Sequence, residues 1–202
     1  QLPRGDMATF QLVLGIGLAA IVGLAAVGLY PLAFAAALVL VPLMMVLYMW
    51  DVDVYEDEPL RVMFYTAGWG IATGLIAGLL IRAFVPPDTG VFGSASTDTL
   101  LVRGVVIPLI GAAVMLAGPL VRLPYRKFND VLDGATFGAT TAVTFVAAQA
   151  FAQAIDLFGG GIRPAGDPLP WVARMLALGV ANPVIAAGAI GSAVGAIWLR
   201  YR

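Results

Sequence analysis

The chain has 202 residues, of which 61% are apolar and only 11% charged, with a mean hydropathy of +0.95 and a formal net charge of −1. Soluble domains carry about a quarter of their residues as charges, so this composition excludes that class, and the charge balance leaves no basic surface for nucleic acid. Cysteine and histidine are both absent, which excludes disulfides, thiolate nucleophiles and the nitrogen and sulfur ligands that zinc prefers; no cofactor or metal is expected.

One bilayer crossing takes about 20 apolar residues, and the uncharged runs divide the chain accordingly. The expected fold is all-α, a polytopic integral membrane protein built as a single bundle of six transmembrane helices over about 7–30, 31–50, 62–82, 101–121, 134–157 and 172–199. The first ten residues, "QLPRGDMATF", lack the cationic region, short apolar core and cleavage site of a signal peptide. Either Met7 is near the start of the protein or the chain continues a longer one.

The first two helices are separated only by Tyr30 and Pro31. Proline disfavours a helical residue before it, so a tight helical hairpin broken at this pair is predicted. Trp50, Trp171, Trp198, Tyr48 and Tyr201 lie near run ends, where amphipathic rings anchor at the headgroups.

Small residues recur every four positions: Gly15, Ala19 and Gly23 in the first span; Gly70, Gly74 and Gly78 in the third; Gly134 and Gly138 in the fifth; Ala187, Gly191 and Gly195 in the sixth. Such stripes let backbones approach closely in lipid, so each is expected to pack within the bundle. The fourth span carries Pro108 and Pro119 among Gly104, Gly111 and Gly118 and should be irregular, needing buried surroundings for its freed backbone groups.

Six crossings put both termini on one side. Arg4, Arg61, Arg122, Arg126, Lys127, Arg200 and Arg202 fall there, against Arg82, Arg103, Arg163 and Arg174 opposite, a bias that favours cytoplasmic termini. The linkers "VPPDTGVFGSASTDT" and "GGGIRPAGDPLP" read as loops. The "DVDVYEDEP" loop has five carboxylates but not the glycine-turn spacing of a calcium site, and it reads as a solvated cap before the third helix.

Ionisable residues inside lipid are costly and usually functional, and the uncharged runs within these spans, 7–30, 31–50, 62–81, 104–121, 134–155 and 175–199, contain no Asp, Glu, Lys, Arg or His. The polar residues considered there are Thr73, Thr140, Thr141, Thr144, Gln149, Gln153, Asn182 and Ser192. Threonine hydroxyls satisfy themselves on their own helix and say little. The amides Gln149, Gln153 and Asn182 can bond across helices, either as structural glue or as a binding site.

Three segments carry a family resemblance. "WDVDVYEDEPLRVMFYTAGWG" resembles the loop and following helix of the PrsW family of bacterial intramembrane proteases, in which an aromatic-Asp segment leads into Glu-Pro. "FNDVLDGATFGATTAVTFVAAQAF" is similar to that family's Phe-Asp-x-x-x-Asp-Gly segment, a later glycine and a Phe-x-x-x-Glu motif. "RMLALGVANPVIAAGAIGSAVGA" resembles the helix bearing its histidine.

The resemblance extends from Trp50 to the carboxyl end, but it implies catalytic positions that are vacated here. Against the family's Pro-x-x-Glu-Glu-x-x-Lys motif stand Pro108, then Gly111 and Ala112 at the glutamates and Met115 at the lysine. Gln149 stands at the next glutamate, four residues after Phe145, and Asn182 at or beside the histidine.

Peptide hydrolysis needs a group to activate water and another to protonate the leaving amine, and an amide does neither. The resemblance therefore implies a catalytically inactive PrsW-like protein. It would sit in a bacterial cytoplasmic membrane, in contact with the lipid bilayer, and bind one or more membrane-protein partners as a scaffold or complex subunit. Gln149 and Asn182 would face the emptied motif. Two alternatives stay open: a peptidase using the displaced carboxylates Glu56, Asp57, Glu58 and Asp133, and a small-solute carrier using Gln149, Gln153 and Asn182.

Overall fold

The structure is a computed structural model, and it describes residues 6–53, 60–85, 97–123, 130–155 and 168–201. The described residues form six helical rods. Helix α1 is Asp6–Ala26, α2 is Tyr30–Asp53 and α3 is Leu60–Phe84. Helix α4 is composite: an α segment Thr97–Leu101, a π turn Val102–Val106 and an α segment Ile107–Leu120. Helix α5 is Val131–Gln153, and α6 joins Pro168–Leu176, a second π turn Ala177–Ala181 and Asn182–Tyr201. All six are long and apolar enough to cross a membrane, so the protein is an all-α polytopic bundle.

The hairpin between α1 and α2 breaks three residues earlier than the proline predicts. Gly28 takes the left-handed conformation at φ 80°, which a side chain would strain. Its N–H donates to the Ala25 carbonyl at 3.0 Å and the Leu29 N–H donates to Leu24 at 2.9 Å, the paired bonds of a Schellman cap. Pro31 therefore sits inside the first turn of α2, where its missing N–H costs nothing.

Both π turns end one residue before an Ile-Pro or Asn-Pro bond. A proline ring collides with the carbonyl four residues back, here those of Gly104 and Gly179. The Ile107 N–H reaches Val102 and the Asn182 N–H reaches Ala177, five residues back rather than four, which widens the turn ahead of Pro108 and Pro183.

Helix α5 is the centre of the bundle. Within its candidate span 56% of residues are buried, against 11% in α1. Its start is also earlier than expected, at Val131 rather than 134, because Asp130 and Asp133 form a capping box. The Leu132 N–H donates to Asp130 Oδ1 at 3.1 Å, and the Asp130 N–H donates to Asp133 Oδ2 at 3.2 Å. Asp133 thus caps the helix.

Glycines set the spacing on both sides of α5. A Cβ on Gly74 would overlap the Phe145 carbonyl oxygen and lie 3.0 Å from that residue's Cα and carbonyl carbon, and one on Gly78 would lie 2.5 Å from the Gln149 carbonyl oxygen. Across the other face, a Cβ on Gly138 would meet the Ile190 carbonyl oxygen at 2.9 Å and one on Gly191 the Ala135 carbonyl oxygen at 3.0 Å. The stripes of α3, α5 and α6 are therefore contacts within the bundle.

The stripe of α1 is not. Gly15, Ala19 and Gly23 are exposed, and neither glycine has a neighbour within 4 Å. The packed face of α1 instead carries Gly17 under Leu40 of α2, with Ile21 and Ala25 buried against Ala33, Phe34 and Ala37. Two residues of rotation separate the face that sequence spacing suggests from the one used.

Trp198 is a second correction. Expected at the membrane interface, it is fully buried on the stretch opened by Gly134, with a ring carbon 2.7 Å from that glycine's would-be Cβ, and meets Phe137 edge-on at 6.4 Å. Trp171 packs edge-on against Tyr30 at 4.9 Å, while Tyr48 and Tyr201 are exposed near helix ends. The side chain of Trp50 lies outside the described residues.

Candidate functional site

Pro108, Gly111, Ala112 and Met115 lie on the α4 segment Ile107–Leu120, and that helix is not buried as its prolines led us to expect. Leu109 and Ile110 are exposed, and the buried residues of the segment are Met115, Gly118 and Pro119. A neighbouring indole ties the segment to α3. Trp69 Nε1 on α3 donates to the Val114 carbonyl at 3.0 Å, and the same ring lies against Gly118, where a Cβ would fall 2.9 Å from Trp69 Cγ.

Gly111 and Ala112 are half-buried and Met115 is buried. A Cβ on Gly111 would meet Phe145 Cε1 at 3.7 Å and Cζ at 3.9 Å, ordinary van der Waals separations. Met115 and Phe145 belong to one apolar cluster with Met63, Phe137, Ile190 and Trp198, and Ala112 packs on its edge. Gly111 thus faces an aromatic ring, with Met115 in the same apolar cluster and Ala112 at its edge.

The three amides are carried by α5 and α6. Gln149 is half-buried on α5, with its backbone carbonyl against Gly78 of α3. Asn182 follows the π turn of α6, on the surface of the bundle, and Gln153 is exposed at the end of α5. Antiparallel pairing of Gly134 with Trp198 and Gly138 with Val194 puts Asn182 near the level of Gln149. Level alone does not bring the two side chains together.

The polar centre that does exist is made of hydroxyls. Thr66, Thr140 and Thr141 are essentially inaccessible. Thr141 Oγ1 donates across the helix boundary to the Thr66 carbonyl at 3.4 Å, and Thr66 Oγ1 donates to Met63 at 2.9 Å. Thr140 Oγ1 bonds Thr136 at 2.8 Å and also reaches Met49 Sδ of α2 at 3.7 Å. Bonding back to one's own helix holds for Thr73 on Trp69 and Thr144 on Thr140, but Thr140 and Thr141 also tie α5 to α2 and α3. Thr66 was missed by sequence reasoning because a single threonine in an apolar run carries no periodic signal.

At the edge of the bundle, Arg122 after α4 lays its guanidinium over the Tyr65 ring of α3 at 4.1 Å, a cation–π contact that pins the end of α4. A shallow, open depression lies at the other end of α3, lined by Leu79, Arg82 and Ala83. Ligand sites usually enclose their occupants in deeper apolar clefts. Among the described residues no group of three metal-ligating side chains comes together. Glu56, Asp57 and Glu58 lie outside the described residues.

No protein-family profile matches the chain, and comparison with curated proteins and with solved structures gives no match either, so the residues themselves carry the functional argument.

Proposed function

We propose that this protein is a catalytically inactive, PrsW-like membrane protein that binds a membrane-protein partner as a scaffold or complex subunit, in a bacterial cytoplasmic membrane with both termini cytoplasmic. The observation that carries the reading is the ring of Phe145 against Gly111. Where the related proteases are expected to gather acids and water, this chain has an aromatic contact bordered by Met115 and Ala112. An apolar contact of that kind gives a nucleophilic water neither a base nor a polar cradle. The solute-carrier alternative is weakened by the exposure of Gln153 and Asn182 on the bundle surface. The peptidase alternative loses support because Asp133 is engaged in capping α5.

The test is to incubate the purified protein in detergent and in nanodiscs with a panel of transmembrane peptides, with and without zinc and a chelator. No cleavage above the background of an unrelated membrane protein is expected. Chelator-sensitive cleavage would overturn the inactive reading. Solubilisation in mild detergent, followed by mass measurement of the intact particle, should give a stoichiometric hetero-complex; a particle containing this chain alone counts against the subunit role.

A further inference from the structure

The two π turns are built alike, yet they are held differently. In α6 the turn is clamped: Gly179 is buried, and a Cβ there would lie 2.7 Å from both the carbonyl carbon and the Cβ of Ala37 on α2. In α4 the turn Val102–Val106 has no buried residue, Gly104 has nothing within 4 Å of a would-be Cβ, and Leu100, Leu101, Val105 and Val106 are all exposed. The segment 97–106 packs substantially on no other described helix, whereas Ile107–Leu120 below it packs on α3, α5 and α6. That lower segment is fixed at Gly118 by Trp69 and at Arg122 by Tyr65.

We infer that residues 97–106 form an arm that swings on the joint at Val102–Val106 and Pro108, while the rest of α4 stays docked. This goes beyond the proposed scaffold role and does not depend on it. The physical basis is local. Proline removes the hydrogen bond and steric fit that would continue an α-helix, and a widened turn beside it leaves the backbone with fewer restraints on bending. Bending is then limited by packing, which the α6 turn has and the α4 turn lacks. Arg103 in this turn is half-buried and engaged rather than free. Outward movement of the arm widens the lipid-facing approach to Gly111, the first glycine below the joint.

The absence of cysteine makes the test direct, since paired cysteines introduced for spin labels meet no native thiol. One pair is Leu100→Cys with Ile76→Cys, both exposed, reporting the arm against α3; the control is Ala173→Cys with Val39→Cys, exposed positions across the clamped joint. Pulsed electron resonance in nanodiscs should give a wider distance distribution for the arm pair, with a second population at longer distance, and a single narrow one for the control. Pro108→Ala, which lets the turn close to an α-helix, should narrow the arm distribution to a single population. An arm distribution as narrow as the control overturns the inference. So does a wide one that Pro108→Ala leaves unchanged, because the motion would then arise elsewhere.

Discussion

Replacing Gly74 by alanine gives a quantitative test of how the centre of the bundle is held. In a helix interior the substitution alone gains about 1 kcal/mol of intrinsic propensity, so the change is expected to destabilise only if space is lacking. The new Cβ would lie 3.0 Å from both Phe145 Cα and its carbonyl carbon, and these are backbone atoms with no side-chain freedom to move aside. Restoring a carbon–carbon separation of about 3.5–4.0 Å requires α3 to withdraw by about 0.5–1 Å, a gap that forfeits a quarter to a half of each contact's dispersion energy. Overpacking of this kind costs about 1–3 kcal/mol. Gly68 on the same helix is exposed with nothing within 4 Å, so Gly68→Ala gains the propensity term without the clash. The difference between the two variants isolates the packing term, and Gly74→Ala should be the less stable by about 1–3 kcal/mol in reversible unfolding by dodecyl sulfate from mixed micelles. Equal stabilities would refute the reasoning, because the α3–α5 contact would then have slack that the structure does not show.

Gly28→Ala should destabilise by about 1–2 kcal/mol in the same unfolding assay, since a Cβ is forced into the left-handed region although space around it is open. Asp130→Ala should cost about 0.5–2 kcal/mol by removing the cap of α5, and hydrogen exchange should quicken selectively in the first turn of that helix. Gly111→Ala should be tolerated, because the Phe145 ring stands at ordinary contact distance; Gly111→Glu should express poorly, through desolvation of the carboxylate beside an apolar ring rather than through overpacking. Detergent-solubilised yield and the midpoint of thermal unfolding separate the two.

The six spans were legible because a length of apolar chain is a one-dimensional property and survives translation into structure. Which face of each helix meets protein was legible only where glycine itself marks the contact, as at Gly70, Gly74 and Gly78. In α1 the sequence has apolar or small residues all round, and lipid accepts every face equally, so no polar side identified the free surface. That is why Gly15, Ala19 and Gly23 stood out while Gly17, Ile21 and Ala25 made the contact. The start of α5 was misjudged for a related reason. A search for uncharged runs stops at Asp133, although the carboxylate is there to bind the backbone of the first turn. At the candidate site, the proximity of Gly111 to Phe145 follows from the pairing of α4 with α5, but Asn182 directly follows a π turn, which shifts register ahead of a proline. No composition rule anticipates that shift.

The position of α5 in the chain bears on how the protein is made. Helices α1 and α2, joined by a capped hairpin, can settle on one another as soon as both have left the ribosome. Helix α3 has no such neighbour in waiting: its glycine groove at Gly70, Gly74 and Gly78 receives α5, which begins only at Val131. Throughout the synthesis of the intervening chain, that groove stands open in the bilayer. Insertion of this protein therefore includes an interval in which α3 needs lipid or an insertase to occupy its most closely packing face, and slowing elongation between α3 and α5 should prolong that interval and raise the fraction lost to quality-control proteolysis.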